Sequence, residues 1–387
     1  MDNLRPSFLR DRLTWLTYAL AAFFSYLQAA IGPLMLFLRN ELQISYTIAG
    51  LHFSAFALGL ILAGFISVRI TQSLGRKGVL WGSAAGMAIA AGLLALSYQV
   101  SLTIASTFLM GLLGALLQIT IQAIISDWHL TDRAIAFTEM NVAASLSASL
   151  VPLLIGSFSQ TALGWRSALW VAAIALIFIF WQGQRIAIPN LETIADKTST
   201  NQKLPFSFWL YWTVMFFGVS IEYCLFYWGA DFLESVVGLI RSDAASTMSL
   251  YVLSGFIGRI VGSRLTRTIK SESLLLSAIA ISAIGFPLFW LASIPSLSIL
   301  GLLIAGFGVA NFYPLILSAA ISTVPNQSDA ATARLSIATG TAVFTAPFLL
   351  GWIADQITLR RAFGLVIVLL ITIAFISQFA NHSNRHR

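Results

Sequence analysis

Apolar and polar positions alternate along this chain on a scale of twenty to thirty residues, not within a single helical turn. Runs in which most positions are apolar lie near 14 to 38, 46 to 70, 77 to 98, 100 to 126, 134 to 160, 165 to 185, 206 to 232, 243 to 267, 273 to 293, 296 to 323, 330 to 356 and 361 to 380. About 20 residues of helix cross a hydrocarbon layer of roughly 30 Å, so each run is long enough to span a bilayer. A helix that is apolar nearly all round has no aqueous face, and the pattern predicts an all-α membrane protein with twelve transmembrane helices. The one long polar stretch divides six runs from six, predicting a bundle over 1–185, a linker over 186–204 and a second bundle over 205–387.

The two halves look like diverged copies. Pro152 and Gly156 recur 195 residues later as Pro347 and Gly351, and Arg166 recurs as Arg361, while Glu139 falls on Arg334. Proline, glycine and arginine make backbone and charge demands that chance rarely reproduces in an apolar sequence. The repeat therefore predicts two pseudo-symmetric six-helix bundles.

Composition sharpens the picture by exclusion. Of 387 residues, 58% are apolar and 10% charged, with a mean hydropathy of +0.85, which rules out a string of soluble domains. A formal charge of +7 would point to nucleic acid in a soluble protein, but here it reports orientation. With the N-terminus inside, fifteen basic residues fall on the cytoplasmic side against Arg39, Arg166, Arg241, Arg360 and Arg361 on the other. That bias predicts a multi-pass protein of a cell or inner membrane with both termini cytoplasmic and no nucleic-acid partner. The basic N-terminus does not read as a signal peptide, because the apolar run behind it is too long and no small-residue cleavage site closes it. Cys224 is the sole cysteine, so no internal disulfide forms.

Chemistry-bearing motifs are sparse. No His-Glu-x-x-His, Gly-x-Ser-x-Gly or phosphate-binding loop occurs and the four histidines are scattered, so neither an enzyme nor a metal or cofactor site is expected. His52, near the outer end of the second span, reads as a packing or interfacial histidine more readily than as a proton relay. Thr138, Asn141, Ser145 and Ser149 share one face of the fifth span, as at a helix interface or a wet cavity.

Between the second and third spans, Gly64 is followed at the turn by Gly75-Arg76-Lys77. This resembles the loop signature of the major facilitator superfamily, although the positions for an acid and a base hold Gln72 and Ser73. Gly255-Phe-Ile-Gly258-Arg259-Ile-Val-Gly262-Ser-Arg264 looks like a second copy. Pro152 with Gly156 echoes the family's antiporter motif, with Val151 and Ile155 where glycines stand in it, and Thr107 occupies the place of an arginine common in its proton antiporters. Gly306, Gly308 and Pro314 in the tenth span are similar to a pattern of its sugar-type permeases.

The resemblance implies a secondary transporter that moves a small organic solute by alternating access. It further implies a cavity lined by the first, fourth, seventh and tenth spans, which carry Tyr26, Gln118, Gln122, Glu222, Tyr223, Asn311 and Tyr313 as solute-binding candidates. Glu222 is the candidate for proton coupling, or for meeting a cationic part of the solute, since a carboxylate in hydrocarbon costs about 2.5–3.5 kcal/mol and must face water, a partner or a proton. Arg76, Lys77, Asp127, Arg133, Glu139 and Arg259 are gating candidates. Asp127 pairs with Arg76 or Arg133, or is a solvated loop acid. Glu139 and Arg259 each lie roughly 9–12 Å in from a helix end, and matched depths suggest an ion pair between the fifth and eighth spans, or separate partners inside each bundle. Partners are then the solute, protons and the bilayer, with the chain working as a monomer. Proton-driven efflux of drugs or amphipathic metabolites is the alternative, with a channel or a non-transporting receptor as the other classes.

Overall fold

A computed structural model describes residues 8–130, 132–189, 204–324 and 327–385. Arg5, Lys197, Lys203, Arg387 and most of the expected linker lie outside the described residues. Among those described, the chain is helical with no strand. In order come α1 (Arg12–Leu42), α2 (Tyr46–Leu96), α3 (Val100–Trp128), α4 (Arg133–Ser159), α5 (Ser167–Gly183), α6 (Phe206–Ser235) and α7 (Arg241–Leu265). They are followed by α8 (Ser271–Leu291), α9 (Pro295–Val309), α10 (Phe312–Ser322), α11 (Ser328–Gln356), α12 (Leu359–Ala362) and α13 (Gly364–Arg385).

Ten of the described helical stretches are long and apolar enough to cross a membrane, and α5 is a shorter apolar helix. The 51 residues of α2 are two crossings joined at Gly75, whose φ of 70° and ψ of 160° reverse the chain where a side chain would be strained. α9 and α10 form one crossing, interrupted at Ala310 and Asn311. Counting α2 twice and adding α5 gives the twelve crossings read from the apolar runs.

The chain forms two compact units that do not simply follow chain order: residues 1–30 with 58–194, and residues 31–57 with 195–387. In the first, Ala63, Val79, Ala115 and Leu116 form a buried cluster packed by Leu60, Ile66, Leu112 and Leu113. In the second, the ends of α1 and α2 nearest their connection pack on α6 and α11. Asp355 of α11 accepts from the amides of Tyr46 and Thr47 at 2.9 and 2.7 Å, satisfying donors that the first turn of α2 leaves open. Phe53 stacks on Tyr227 at 4.1 Å, and the Trp228 indole donates to Pro347 O at 2.8 Å.

Membrane helices gain little from burying apolar surface against one another, because lipid is as apolar as leucine, so close approach and dispersion decide their packing. The α8–α9 seam illustrates this. A Cβ at Gly285 would come within 2.8 Å of Gly301 O, and one at Gly301 within 2.8 Å of Gly285 O. We expect Gly301→Val to destabilise the protein by at least about 1–3 kcal/mol through overpacking against backbone. Gly64→Ala, where a Cβ meets nothing within 4 Å, should cost nothing measurable; melting temperatures of detergent-purified protein check both.

Candidate functional site

The break between α9 and α10 sets up the main polar cluster of the second unit. In an unbroken helix the amide of residue 314 would donate to Ala310 O, but Pro314 has no N–H. Arg259 of α7 fills the vacancy: its Nε donates to Ala310 O at 3.2 Å, and its Nη2 donates to Glu222 Oε1 of α6 at 3.1 Å. Gly255 and Gly258 let α7 lie against Ala310 and Phe307, which brings the arginine within reach. The arginine side chain is 51% exposed and the glutamate 19%, so the cation faces outward from the pair and the carboxylate sits behind it.

Aromatic groups surround this pair. Tyr223 follows Glu222 on α6 and meets Tyr227 edge-on at 5.5 Å. Tyr251 of α7 reaches toward Glu222 O at 3.5 Å, a long contact. Tyr313 at the start of α10 is 37% exposed. Of the seven expected solute-binding residues, the structure therefore gathers Glu222, Tyr223 and Tyr313. Asn311 is buried, donates to Phe307 O at 3.0 Å and packs on Gly262, so it serves the helix break instead of offering a free amide.

The other three belong to the first unit. Tyr26 is buried and donates to Ala168 O at 2.8 Å, which makes it a tie between α1 and α5. Gln118 is half-buried, with Oε1 enclosed and without a hydrogen-bond partner, and Gln122 is exposed.

The gating candidates resolve into separate contacts. Arg76, which follows the Gly75 turn, pairs with Asp127 at 2.7 Å, one of the alternatives left open for that acid. Lys77 donates to Gln184 O at 2.8 Å and Arg133 to Ser126 O at 2.6 Å, so both brace helix ends through backbone oxygens. Glu139 and Arg259 each have a partner inside their own unit, the alternative read for them from the sequence. Glu139 is held by Arg10, whose Nε and Nη2 reach its two oxygens at 2.9 and 2.6 Å, with Tyr18 OH at 3.3 Å. Arg259 belongs to Glu222. The reason lies just before α1, where Asp11 accepts from Thr14 N at 2.8 Å and from the Trp128 indole at 2.7 Å, fixing the segment that carries Arg10. Burial pushes the Asp11 carboxyl up, but its bonds from Thr14 and Trp128 outweigh that and hold it below its ordinary value.

One pair escaped sequence reasoning. Asp231 reads as an acid near a helix end, yet it is fully buried and accepts from Arg39 Nε at 2.9 Å. Its second oxygen is enclosed without a partner. Arg39 in turn lies 4.2 Å over the Tyr46 ring, and the neighbouring Glu234 pairs with Arg241 at 3.0 Å. A signal was present: Asp231 follows Tyr227 and Trp228 by one helical turn and shares their packed face, whereas Glu222, nine residues earlier, points the opposite way.

Membrane-crossing helices in two units, with ion pairs formed inside each, make up a multi-pass membrane protein. Residues 14–330 match the model of the Major Facilitator Superfamily, and the chain belongs to that family. Among its relatives are an uncharacterized MFS-type transporter of Yersinia pestis, 28% identical over 38% of each chain, and the hexuronate transporter of Bacillus subtilis, 26% identical over 66% of this chain and 64% of that one. The match thus spans less than two thirds of either relative. The uncharacterized MFS-type transporter YtbD of Bacillus subtilis is 24% identical over 85% of each chain. A solved structure of a mutant of the nucleoside transporter NupG superposes with a TM-score of 0.80, covering 95% of this chain and all of that one at 15% identity. A bacterial homolog of the human lysosomal transporter Spinster gives 0.77 over 97% of this chain and 98% of its own at 14% identity. At such identities the likeness establishes the fold. The chain is thus a multi-pass member of this superfamily, with many helices long and apolar enough to cross a membrane.

Removing one partner of a buried ion pair strands the other charge, at a cost of about 3–5 kcal/mol. Asp231→Ala should therefore destabilise the purified protein by that order. Glu234→Ala, at a more exposed pair, should cost no more than about 1 kcal/mol, and thermal unfolding in detergent distinguishes the two.

Proposed function

We propose that this transporter carries a small polar organic solute by alternating access, that Glu222 couples the transport to protons, and that a single chain suffices, with both termini cytoplasmic. The observation that carries the reading is the Glu222–Arg259 pair on α6 and α7, beside Tyr223 and Tyr313. An ionisable pair inside membrane helices is expensive, and one whose arginine is half-exposed is poised to exchange partners. The phenols beside it can hydrogen-bond and stack on a hydroxylated molecule. Similarity to a hexuronate transporter supports a solute of that polarity.

Tyr26, Gln118, Gln122 and Asn311 are on this reading the remaining solute-facing or supporting positions. The bonds of Arg76 with Asp127, Lys77 with Gln184, Arg133 with Ser126 and Arg10 with Glu139 hold helix ends in one of the carrier's two states. Two conformations stabilised by different ion pairs allow a few kcal/mol of solute binding to shift the balance between them.

Glu222→Gln removes the titrating group and keeps its shape. It should reduce accumulation driven by a pH gradient in proteoliposomes by roughly 5- to 150-fold, the span of ordinary coupling energies. Unchanged melting temperature and elution profile would exclude misfolding. A pH profile identical to that of the unaltered protein would refute the coupling role.

A further inference from the structure

We infer that the solute is a monoanion bearing a carboxylate, that it binds at Arg259, and that one proton travels with each molecule on Glu222. This rests on the carrier reading above and extends it to a substrate class and a charge balance. Three observations carry it.

The first is which charge the site shows. Arg259 is the more exposed partner and Glu222 lies behind it, so an approaching molecule meets the cation first. A cationic solute would have to pass the guanidinium to reach the carboxylate.

The second is how the arginine is held. Its Nε bonds to Ala310 O and its Nη2 to Glu222 Oε1, while among the described residues Nη1 makes no hydrogen bond. A guanidinium anchored at one side still offers a planar edge of N–H donors, which suits a carboxylate better than it suits an alcohol.

The third is the count of charges. Arg259 is the charged group that acts on Glu222; the titratable neighbours around the pair are Tyr223 on α6, Tyr251 on α7 and Tyr313 on α10, neutral phenols at ordinary pH. The resting pair is neutral. An anion bound to Arg259 leaves one uncompensated negative charge in a poorly hydrated place, and one proton on Glu222 cancels it. A proton on Glu222 without the anion leaves Arg259 uncompensated instead. Each ligand therefore favours the other, by reciprocal linkage. The loaded site carries the same net charge as the empty one, so a pH gradient drives transport and membrane voltage does not.

The test uses the full chain in proteoliposomes with a trapped pH dye. Two panels are offered: glucuronate, galacturonate, gluconate and lactate, and the uncharged glucose, galactose and glycerol. A carboxylate should enter with saturable counterflow and acidify the lumen, at an initial rate indifferent to a potassium–valinomycin potential. Arg259→Gln should weaken carboxylate transport by roughly 10- to 150-fold, the value of a hydrogen bond to a charged group. Arg259→Lys should restore part of it, since lysine keeps the charge without the fork; both variants are first matched for elution profile and melting temperature. Counterflow of uncharged sugars alone would overturn the inference and leave the carrier standing. Carboxylate flux that follows voltage, or that survives Arg259→Gln, would also overturn it, and silence of both panels would remove the carrier reading as well.

Discussion

Hydrocarbon offers no partner to a peptide group or a charge, and the chain is built around that constraint. It forces each crossing to close its own backbone hydrogen bonds, hence helices throughout the described residues. It also requires that a backbone group released by an irregularity be met by something nearby. The α9–α10 break is met by Arg259, and the open first turn of α2 by Asp355. The same demand explains the pairing of charges: Arg76 with Asp127, Arg39 with Asp231 and Arg259 with Glu222 each remove two solvation costs with one contact.

What could be read from the sequence follows from how local each property is. Crossings depend on length and polarity alone, and their number and approximate ends were legible, including the reversal at Gly75. His52, read as a packing histidine, is buried with Nδ1 3.0 Å from Ile48 O. Partner choice is different in kind. Depth along a helix can be counted from the sequence, but the direction a side chain takes around the axis relative to another helix cannot. That is why matched depths suggested Glu139 with Arg259, while Arg10 and Glu222 supply the partners. Arg10 counted only as one more basic residue before the first span, because nothing local reveals that Asp11 and Trp128 turn that segment back.

Positions that recur between the two halves are put to different uses. Pro347 O takes the Trp228 indole, and Gly351 admits Tyr46 O to within 2.6 Å of where its Cβ would stand. Their counterparts Pro152 and Gly156 are buried on α4, a helix whose most apolar window is only 22% buried. Glu139 binds a guanidinium, whereas Arg334, at the repeat-related position, offers its backbone oxygen to Trp212 at 2.9 Å. The prolines and glycines, which shape the backbone, recur between the halves, whereas the contacts that the side chains make do not.

The anchoring of Arg259 carries a consequence of its own. Its acceptor is free because a ring replaces one hydrogen atom at position 314, four residues further along another helix. The reach of the arginine is thus governed by a main-chain carbonyl, which every amino acid possesses, provided the side chain at position 310 stays small enough for α7 to lie against it at Gly255. Evolution could retune what the arginine greets while its mooring stays constant, as long as the imino acid persists.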